Sequence, residues 1–97
     1  MKTIYVDIDN TICLTEKCKY RSSVPIQERI DKINKLYDEG NIIIYWTARG
    51  YVSGIPWTIY TYNQLKSWGC KFHQVKVNKP NYDLFIDDKN INSEDFF

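Results

Sequence analysis

The chain has 97 residues, of which 43% are hydrophobic, and this length predicts a single domain, residues 1–97, with one modest core. Its 13 basic and 12 acidic residues give a net charge of +1, which offers no electrostatic footprint for nucleic acid or a membrane, so neither is expected as a partner. Three cysteines and one histidine argue against a disulfide framework or a zinc site, and they indicate reduced thiols in the cytoplasm.

The first half of the chain predicts a strand, a long polar loop and a helix. Residues 2–8 form a short run of branched and aromatic side chains, which is typical of a buried strand, and residues 10–24 predict a loop. Pro25 suits the first turn of a helix, and Gly40 suits the left-handed residue that ends one. One face of this helix carries apolar side chains at spacings of three and four: Ile26, Ile30, Ile33 and Leu36 or Tyr37.

The middle of the chain repeats this order. Residues 41–46 are apolar throughout and predict a strand that is covered on both faces. Residues 48–56 contain two glycines and a proline and predict a loop, and residues 57–68 predict a second helix that Gly69 ends. The buried side of this helix is expected to carry four residues: Ile59, Tyr62, Leu65 and Trp68.

Two further strands are predicted at residues 72–77 and 82–86, with a turn at 78–81 between them. A turn of this length is too short for a parallel crossover, which normally needs about a dozen residues. The runs at 2–8, 41–46 and 82–86 are therefore expected to form the parallel set, and the direction of 72–77 stays open. The order β-α-β-α-β-β predicts an α/β fold, a Rossmann-like three-layer sandwich around a small, mostly parallel central sheet.

Two carboxylates, Asp7 and Asp9, follow the first predicted strand, where the chain leaves the sheet. Ligands of open α/β sheets bind beyond the carboxyl ends of the strands, so these side chains are candidate catalytic groups. One carboxylate can attack a phosphorus atom, and the other can protonate the leaving oxygen and later deprotonate a water. The alternative is a pair of turn aspartates that cap Asn10 and Thr11.

The second apolar run ends at Thr47, whose hydroxyl could hold a phosphate oxygen together with the neighbouring backbone N–H of Ala48. Arg49 offers a planar fork suited to phosphate or carboxylate, which makes it a candidate substrate-binding residue. The charge of Lys79 could offset that of the attacking carboxylate and of the phosphate. Two other lysines compete for this role: Lys76 and Lys89.

Asp87 and Asp88 close the last apolar run, where two adjacent acids repel each other unless a cation or a proton relieves them. Mg²⁺ in proteins takes one or two carboxylates together with substrate phosphate and water. Asp7, the backbone carbonyl of Asp9 and one acid of this pair would meet that need. We therefore expect Mg²⁺ as the cofactor, and the sequence leaves open which of Asp87 and Asp88 is the direct ligand.

Four segments, in this order, resemble the motifs of the haloacid dehalogenase superfamily of Mg²⁺-dependent phosphatases. They are Asp7-Ile8-Asp9-Asn10-Thr11, Thr47 within Trp46-Thr47-Ala48-Arg49-Gly50, Lys79-Pro80 and Ile86-Asp87-Asp88-Lys89. The resemblance implies that Asp7 is the nucleophile of a phosphomonoesterase working through an aspartyl phosphate, and that Asp9 is its general acid and base. It also implies that Thr47 and Lys79 bind the phosphoryl group, and that Asp87, with Asp88, holds Mg²⁺ alongside Asp7 and the Asp9 carbonyl.

The size of the chain implies a member without a cap domain, because neither 10–24 nor 48–56 has room for one. Such members act on large substrates or take cover from a partner subunit. The expected partner is therefore a phosphorylated metabolite, such as a sugar phosphate, or a larger phosphate-bearing molecule, with a homo-oligomer shielding the open site. Two other functions stay open: a signalling module that keeps a stable phospho-aspartate, and a binding subunit that serves a partner enzyme.

Overall fold

The structure, a computed structural model that describes residues 1–97, is built around a three-stranded parallel sheet. Its strands are β1 (Thr3–Val6), β4 (Ile42–Trp46) and β5 (Gln74–Lys76), in the order β1-β4-β5. Helices α1 (Gln27–Asp38) and α2 (Thr58–Ser67) connect the strands, and α3 (Ser93–Phe96) ends the chain. The first connection also holds a 3-10 turn (Tyr20–Ser22) and an antiparallel ribbon of β2 (Cys13–Leu14) and β3 (Val24–Pro25).

Helix α1 forms where the apolar spacing predicted it. Ile30 and Ile33 are buried on its inner face, one turn apart. After the helix, Gly40 adopts a φ of +95°, a left-handed conformation that glycine enters without steric cost. The chain can therefore reverse at once into β4, which starts at Ile42 and pairs with β1.

The buried face of α2 differs from the predicted one. Ile59 is 77% exposed and Tyr62 is 46% exposed, whereas Thr61 and Leu65 are fully buried. The prediction was right for Leu65 and wrong for Ile59 and Tyr62, because hydrophobicity cannot place a polar residue such as Thr61 inside. The Thr61 hydroxyl is satisfied there, since it accepts a hydrogen bond from the side chain of Arg49.

The third strand of the sheet is β5, and it runs parallel to β4. The predicted strand at 82–86 was wrong: these residues form no strand, and Leu84 and Ile86 are 75% and 86% exposed. A short apolar run forms a strand only if it can pair with another strand, and the run itself does not specify that strand. The parallel set is therefore β1, β4 and β5, and one edge of β1 has no partner strand.

The core lies mainly on one face of this sheet. Ile43 and Tyr45 are two residues apart in β4 and point to the same side, where α1 contributes Ile30 and Ile33 and α2 contributes Leu65. The small parallel sheet, the flanking helices and the absence of a cap confirm the predicted Rossmann-like α/β class. No helix is long and apolar enough to cross a membrane.

Candidate active site

Polar residues from three strands meet at one edge of the sheet. Asp7 follows β1, Thr47 follows β4, and Lys79 stands three residues beyond β5. The backbone N–H of Lys79 donates to the carbonyl of Thr47 at 2.9 Å, which fastens the turn after β5 to the end of β4. Asn78 has a φ of +62°, a value that asparagine tolerates better than most residues, and it aims the chain back toward this edge.

Asp7 is more open to a ligand than Asp9, with 38% of its side chain exposed against 21% for that of Asp9. Its Oδ2 accepts a hydrogen bond from the Thr11 hydroxyl at 3.0 Å, and its Oδ1 lies 3.7 Å from the ammonium of Lys79. Burial raises the pKa of Asp7, while the charge of Lys79 and the Thr11 hydrogen bond act in the opposite direction. A further positive charge beside Asp7 would therefore favour the ionised form that can act as a nucleophile.

The carboxylate of Asp9 is engaged by several donors. Arg49 donates from Nε to Oδ2 at 3.0 Å and from Nη2 to Oδ1 at 2.8 Å, which makes a bidentate ion pair. The hydroxyl of Thr15 donates to Oδ1 at 2.6 Å, and the hydroxyl of Thr47 donates to Oδ2 at 3.4 Å. Asp9 is thus held in one orientation, unlike Asp7.

The Thr47 hydroxyl lies inside the protein and has protein partners. Thr47 is 1% exposed, and its Oγ1 accepts a hydrogen bond from the backbone N–H of Arg49 at 3.2 Å while it donates to Asp9. By contrast, the backbone N–H of Ala48 has no hydrogen-bond partner in the protein. The Ala48 N–H and the Lys79 ammonium are therefore two donors that an anion at this edge can use.

A cavity of about 800 Å³ opens beside Asp7 and follows the unpaired edge of β1. Lys79 and Asp87 share its lining with Asp7, and so does Lys89. Asp88 lies outside this lining. The rest of the wall is mixed and includes six aromatic residues: Tyr5, Trp46, Tyr82, Phe85, Phe96 and Phe97.

Of the three candidate lysines, Lys79 is the one in contact with Asp7. Its ammonium also lies 5.8 Å from the ring centre of Trp46 and 5.4 Å from that of Tyr82, close enough for cation–π attraction. Lys76 instead donates to the hydroxyl of Tyr5 at 3.4 Å. Two aromatic rings and the backbone hydrogen bond to Thr47 therefore hold Lys79 at the cavity.

The acidic residues fit a cation shared with a ligand rather than a closed metal cage. No group of three or more acidic, histidine or cysteine side chains lies together at metal-binding distances. Asp7 and Asp87 nevertheless line one cavity and offer oxygen atoms. Mg²⁺ in proteins usually takes one or two carboxylates and fills its other positions with phosphate and water, so carboxylate oxygens on a cavity wall are the type of ligand that this ion uses.

Sequence reasoning missed the residues that support Asp9. Thr15, Thr61 and Gln64 were not singled out, yet Thr15 contacts Asp9 directly, and the other two contact Arg49. A sequence signal exists only for the α2 pair, because Thr61 and Gln64 are three residues apart and share one face of a helix. Nothing in the sequence distinguishes Thr15 from other loop threonines.

The fold is similar to that of a target protein from Vibrio cholerae known from a crystal structure. The two have a TM-score of 0.87 and 22% identity, over 99% of this chain and 87% of that chain. At this identity the likeness concerns the fold alone, and it agrees with the α/β class. No protein-family model matches the chain, and no curated protein matches it.

Proposed function

We propose that this protein is an Mg²⁺-dependent phosphomonoesterase of the haloacid dehalogenase type, with Asp7 as nucleophile. The observation that carries the proposal is the contrast between the two carboxylates that follow β1. Asp7 is partly exposed on the wall of a cavity, beside the ammonium of Lys79, whereas Asp9 is fixed by hydrogen bonds two residues later. A nucleophile must reach its substrate, and an acid/base group must be oriented, so this contrast suits the two roles.

The reaction would proceed in two displacements. In the first, an oxygen of Asp7 forms a bond to phosphorus, the ester P–O bond breaks, and Asp9 gives a proton to the leaving oxygen. In the second, a water attacks the phosphorus of the aspartyl phosphate, Asp9 takes a proton from that water, and the bond between phosphorus and Asp7 breaks. The products are an alcohol and inorganic phosphate.

Two donors would receive the phosphoryl oxygens. The Lys79 ammonium carries a positive charge beside Asp7, and the Ala48 N–H has no partner within the protein. Positive charge and backbone donors at this position stabilise the negative charge that is spread over the equatorial oxygens during transfer. Thr47 would contribute indirectly, because its hydroxyl contacts Asp9.

Asp7, the backbone carbonyl of Asp9 and Asp87 are the groups that would hold Mg²⁺. When bound, the ion supplies positive charge that offsets the charge of the phosphate and of the nucleophile. The cavity volume lies within the range for small-molecule sites, about 300–1,000 Å³. A phosphorylated metabolite such as a sugar phosphate, or the phosphate end of a larger molecule, would fit this volume.

The test is hydrolysis of p-nitrophenyl phosphate with Mg²⁺, with EDTA, and by the variant Asp7→Asn. We expect activity with Mg²⁺ only and its loss in Asp7→Asn, while the control Asp31→Asn on the exposed side of α1 keeps full activity. Activity that survives in Asp7→Asn would reject the mechanism. A long-lived phosphate on Asp7 without turnover would instead favour the signalling module.

A further inference from the structure

We infer that Arg49 is a positioning residue for Asp9 and that it anchors this carboxylate to helix α2. This inference rests on the proposed function, because it gives Asp9 the part of acid and base in that reaction. It differs from the expectation that Arg49 binds substrate. Its basis is the burial of the guanidinium together with the partners on each side of it.

The guanidinium fixes both oxygens of Asp9 at once. The bonds from Nε to Oδ2 at 3.0 Å and from Nη2 to Oδ1 at 2.8 Å form a fork that sets both the position and the rotation of the carboxylate. A lysine has no such fork and would leave the carboxylate able to rotate. The fork therefore sets the orientation of the Asp9 carboxylate.

The other side of the guanidinium is tied to α2. Nη1 donates to Oε1 of Gln64 at 2.7 Å and to the hydroxyl of Thr61 at 3.2 Å. Gln64 in turn donates from Nε2 to the carbonyl of Tyr20 at 2.8 Å, and the Tyr20 ring lies 4.7 Å from the guanidinium carbon. Asp9 is thus connected through Arg49 to a helix and to the loop that follows β2.

The guanidinium is poorly placed to bind substrate. The Arg49 side chain is 0% exposed, whereas 21% of the Asp9 side chain reaches solvent. A phosphate that reached it would have to displace Asp9. Removing one partner of a buried ion pair is strongly destabilising, so the pair is expected to persist when substrate binds.

Three variants separate positioning from substrate binding. Arg49→Lys keeps the charge and loses the fork. Gln64→Ala removes a hydrogen-bond acceptor of the guanidinium without changing Asp9 or Arg49. Asn63→Ala is the control, because Asn63 is exposed on the same helix. Misplacing a catalytic group by 1 Å can cost about 10²-fold, so we expect Arg49→Lys to lower kcat by about 10- to 100-fold with KM nearly unchanged. Losing one hydrogen bond in Gln64→Ala should lower kcat by about 2- to 10-fold.

The leaving group provides a second readout. If Asp9 is misdirected, kcat/KM should fall more for phenyl phosphate than for p-nitrophenyl phosphate, because the poorer leaving group depends more on a donated proton. A purely structural loss would reduce both values by the same factor. Equal losses on the two substrates would therefore overturn the positioning role.

A measurement independent of activity separates this inference from the proposed function. In a ¹⁵N-labelled sample, we expect the Nε–H of Arg49 to exchange slowly with solvent, to lose its signal in Arg49→Lys, and to exchange faster in Gln64→Ala than in Asn63→Ala. If the wild-type protein is inactive but shows these exchange rates, the proposed function is refuted and the anchoring of Asp9 by Arg49 is retained. In an active protein, a raised KM with unchanged kcat in Arg49→Lys would overturn the inference, and so would a Gln64→Ala variant that matches the control.

Discussion

The ammonium of Lys79 lies 3.7 Å from Oδ1 of Asp7, and it reaches this position because its backbone is bonded to the end of β4. Asp7 is thereby the one carboxylate of the edge that combines partial exposure, a cavity and a nearby positive charge. Burial still dominates, since it raises the pKa of Asp7 despite the opposing effect of Lys79. The raised pKa of Asp7 therefore affects the free energy of unfolding as well as the reactivity of this carboxylate.

Replacing Asp7 with Asn should stabilise the metal-free protein at neutral pH. Because the pKa of Asp7 in the folded state is above its ordinary value of 3.8, the folded protein binds the proton more tightly than the unfolded one. The contribution of Asp7 to stability is therefore greatest below pH 3.8 and is lost as the pH rises through the raised pKa. Urea unfolding in EDTA should show Asp7→Asn more stable than wild type at pH 7, with a smaller difference at low pH. The same difference at both values would contradict this reasoning.

Asp87 should contribute more to Mg²⁺ binding than Asp88. Only Asp87 lines the cavity that contains Asp7. Within the proposed function, we expect Asp87→Asn to raise the Mg²⁺ concentration for half-maximal activity by about 10- to 100-fold, a typical loss for a residue that supports a metal. Asp88→Asn serves as the matched control, and a larger effect of that variant would reverse the assignment.

Tyr45→Phe should leave stability unchanged or increase it. The Tyr45 side chain is fully buried, and its hydroxyl makes no hydrogen bond of ordinary geometry, although the thiol of Cys70, a weak partner, lies beside it. An unsatisfied buried hydroxyl costs about 1–3 kcal/mol, and Phe removes it without changing the shape of the ring. Chemical denaturation measures the change, with Tyr62→Phe on the exposed side of α2 as control. A loss of more than about 1 kcal/mol in Tyr45→Phe would mean that the hydroxyl has a stabilising partner.

Gly50→Ala should destabilise the loop beside the site more than Gly54→Ala. Both glycines have positive φ, +83° and +73°, so alanine costs about 1–2 kcal/mol at either position. Only at Gly50 would the added Cβ also overlap another group, the backbone carbonyl of Ile55, while the space around Gly54 is open. Thermal unfolding should therefore show a clearly lower Tm for Gly50→Ala than for Gly54→Ala. Equal Tm values would argue that Gly50 does not lie this close to the carbonyl of Ile55.

The backbone amides of residues 80–91 should exchange rapidly with solvent. None of these residues takes part in a backbone–backbone hydrogen bond, whereas the amides of β4 are paired on both sides. Exchange protection follows such bonding and burial. Hydrogen–deuterium exchange should show rates close to those of an unfolded peptide for 80–91 and slow exchange for β4. Strong protection at Leu84 and Ile86 would indicate that this segment pairs with the unpaired edge of β1.

The sequence predicted those parts of the fold that depend on local patterns. The helix at 27–38 followed from apolar spacing and a glycine at its end, and β4 followed from five consecutive apolar residues. The same reasoning failed at 82–86, because a strand needs a partner and an apolar run does not specify one. It also failed for part of the inner face of α2, where Leu65 is buried as expected but the polar Thr61 takes the place expected for apolar residues.

The sequence alone determined that Asp7, Asp9 and Thr47 stand at the ends of apolar runs, because the apolar runs and the order of residues along the chain are local properties. Only the tertiary structure decided the surroundings of each group. Lys79 reaches Asp7 through a turn bonded to β4, and Arg49 turns inward to Asp9 and α2. Burial and pairing depend on residues far apart along the chain, and no local pattern records which of them will meet.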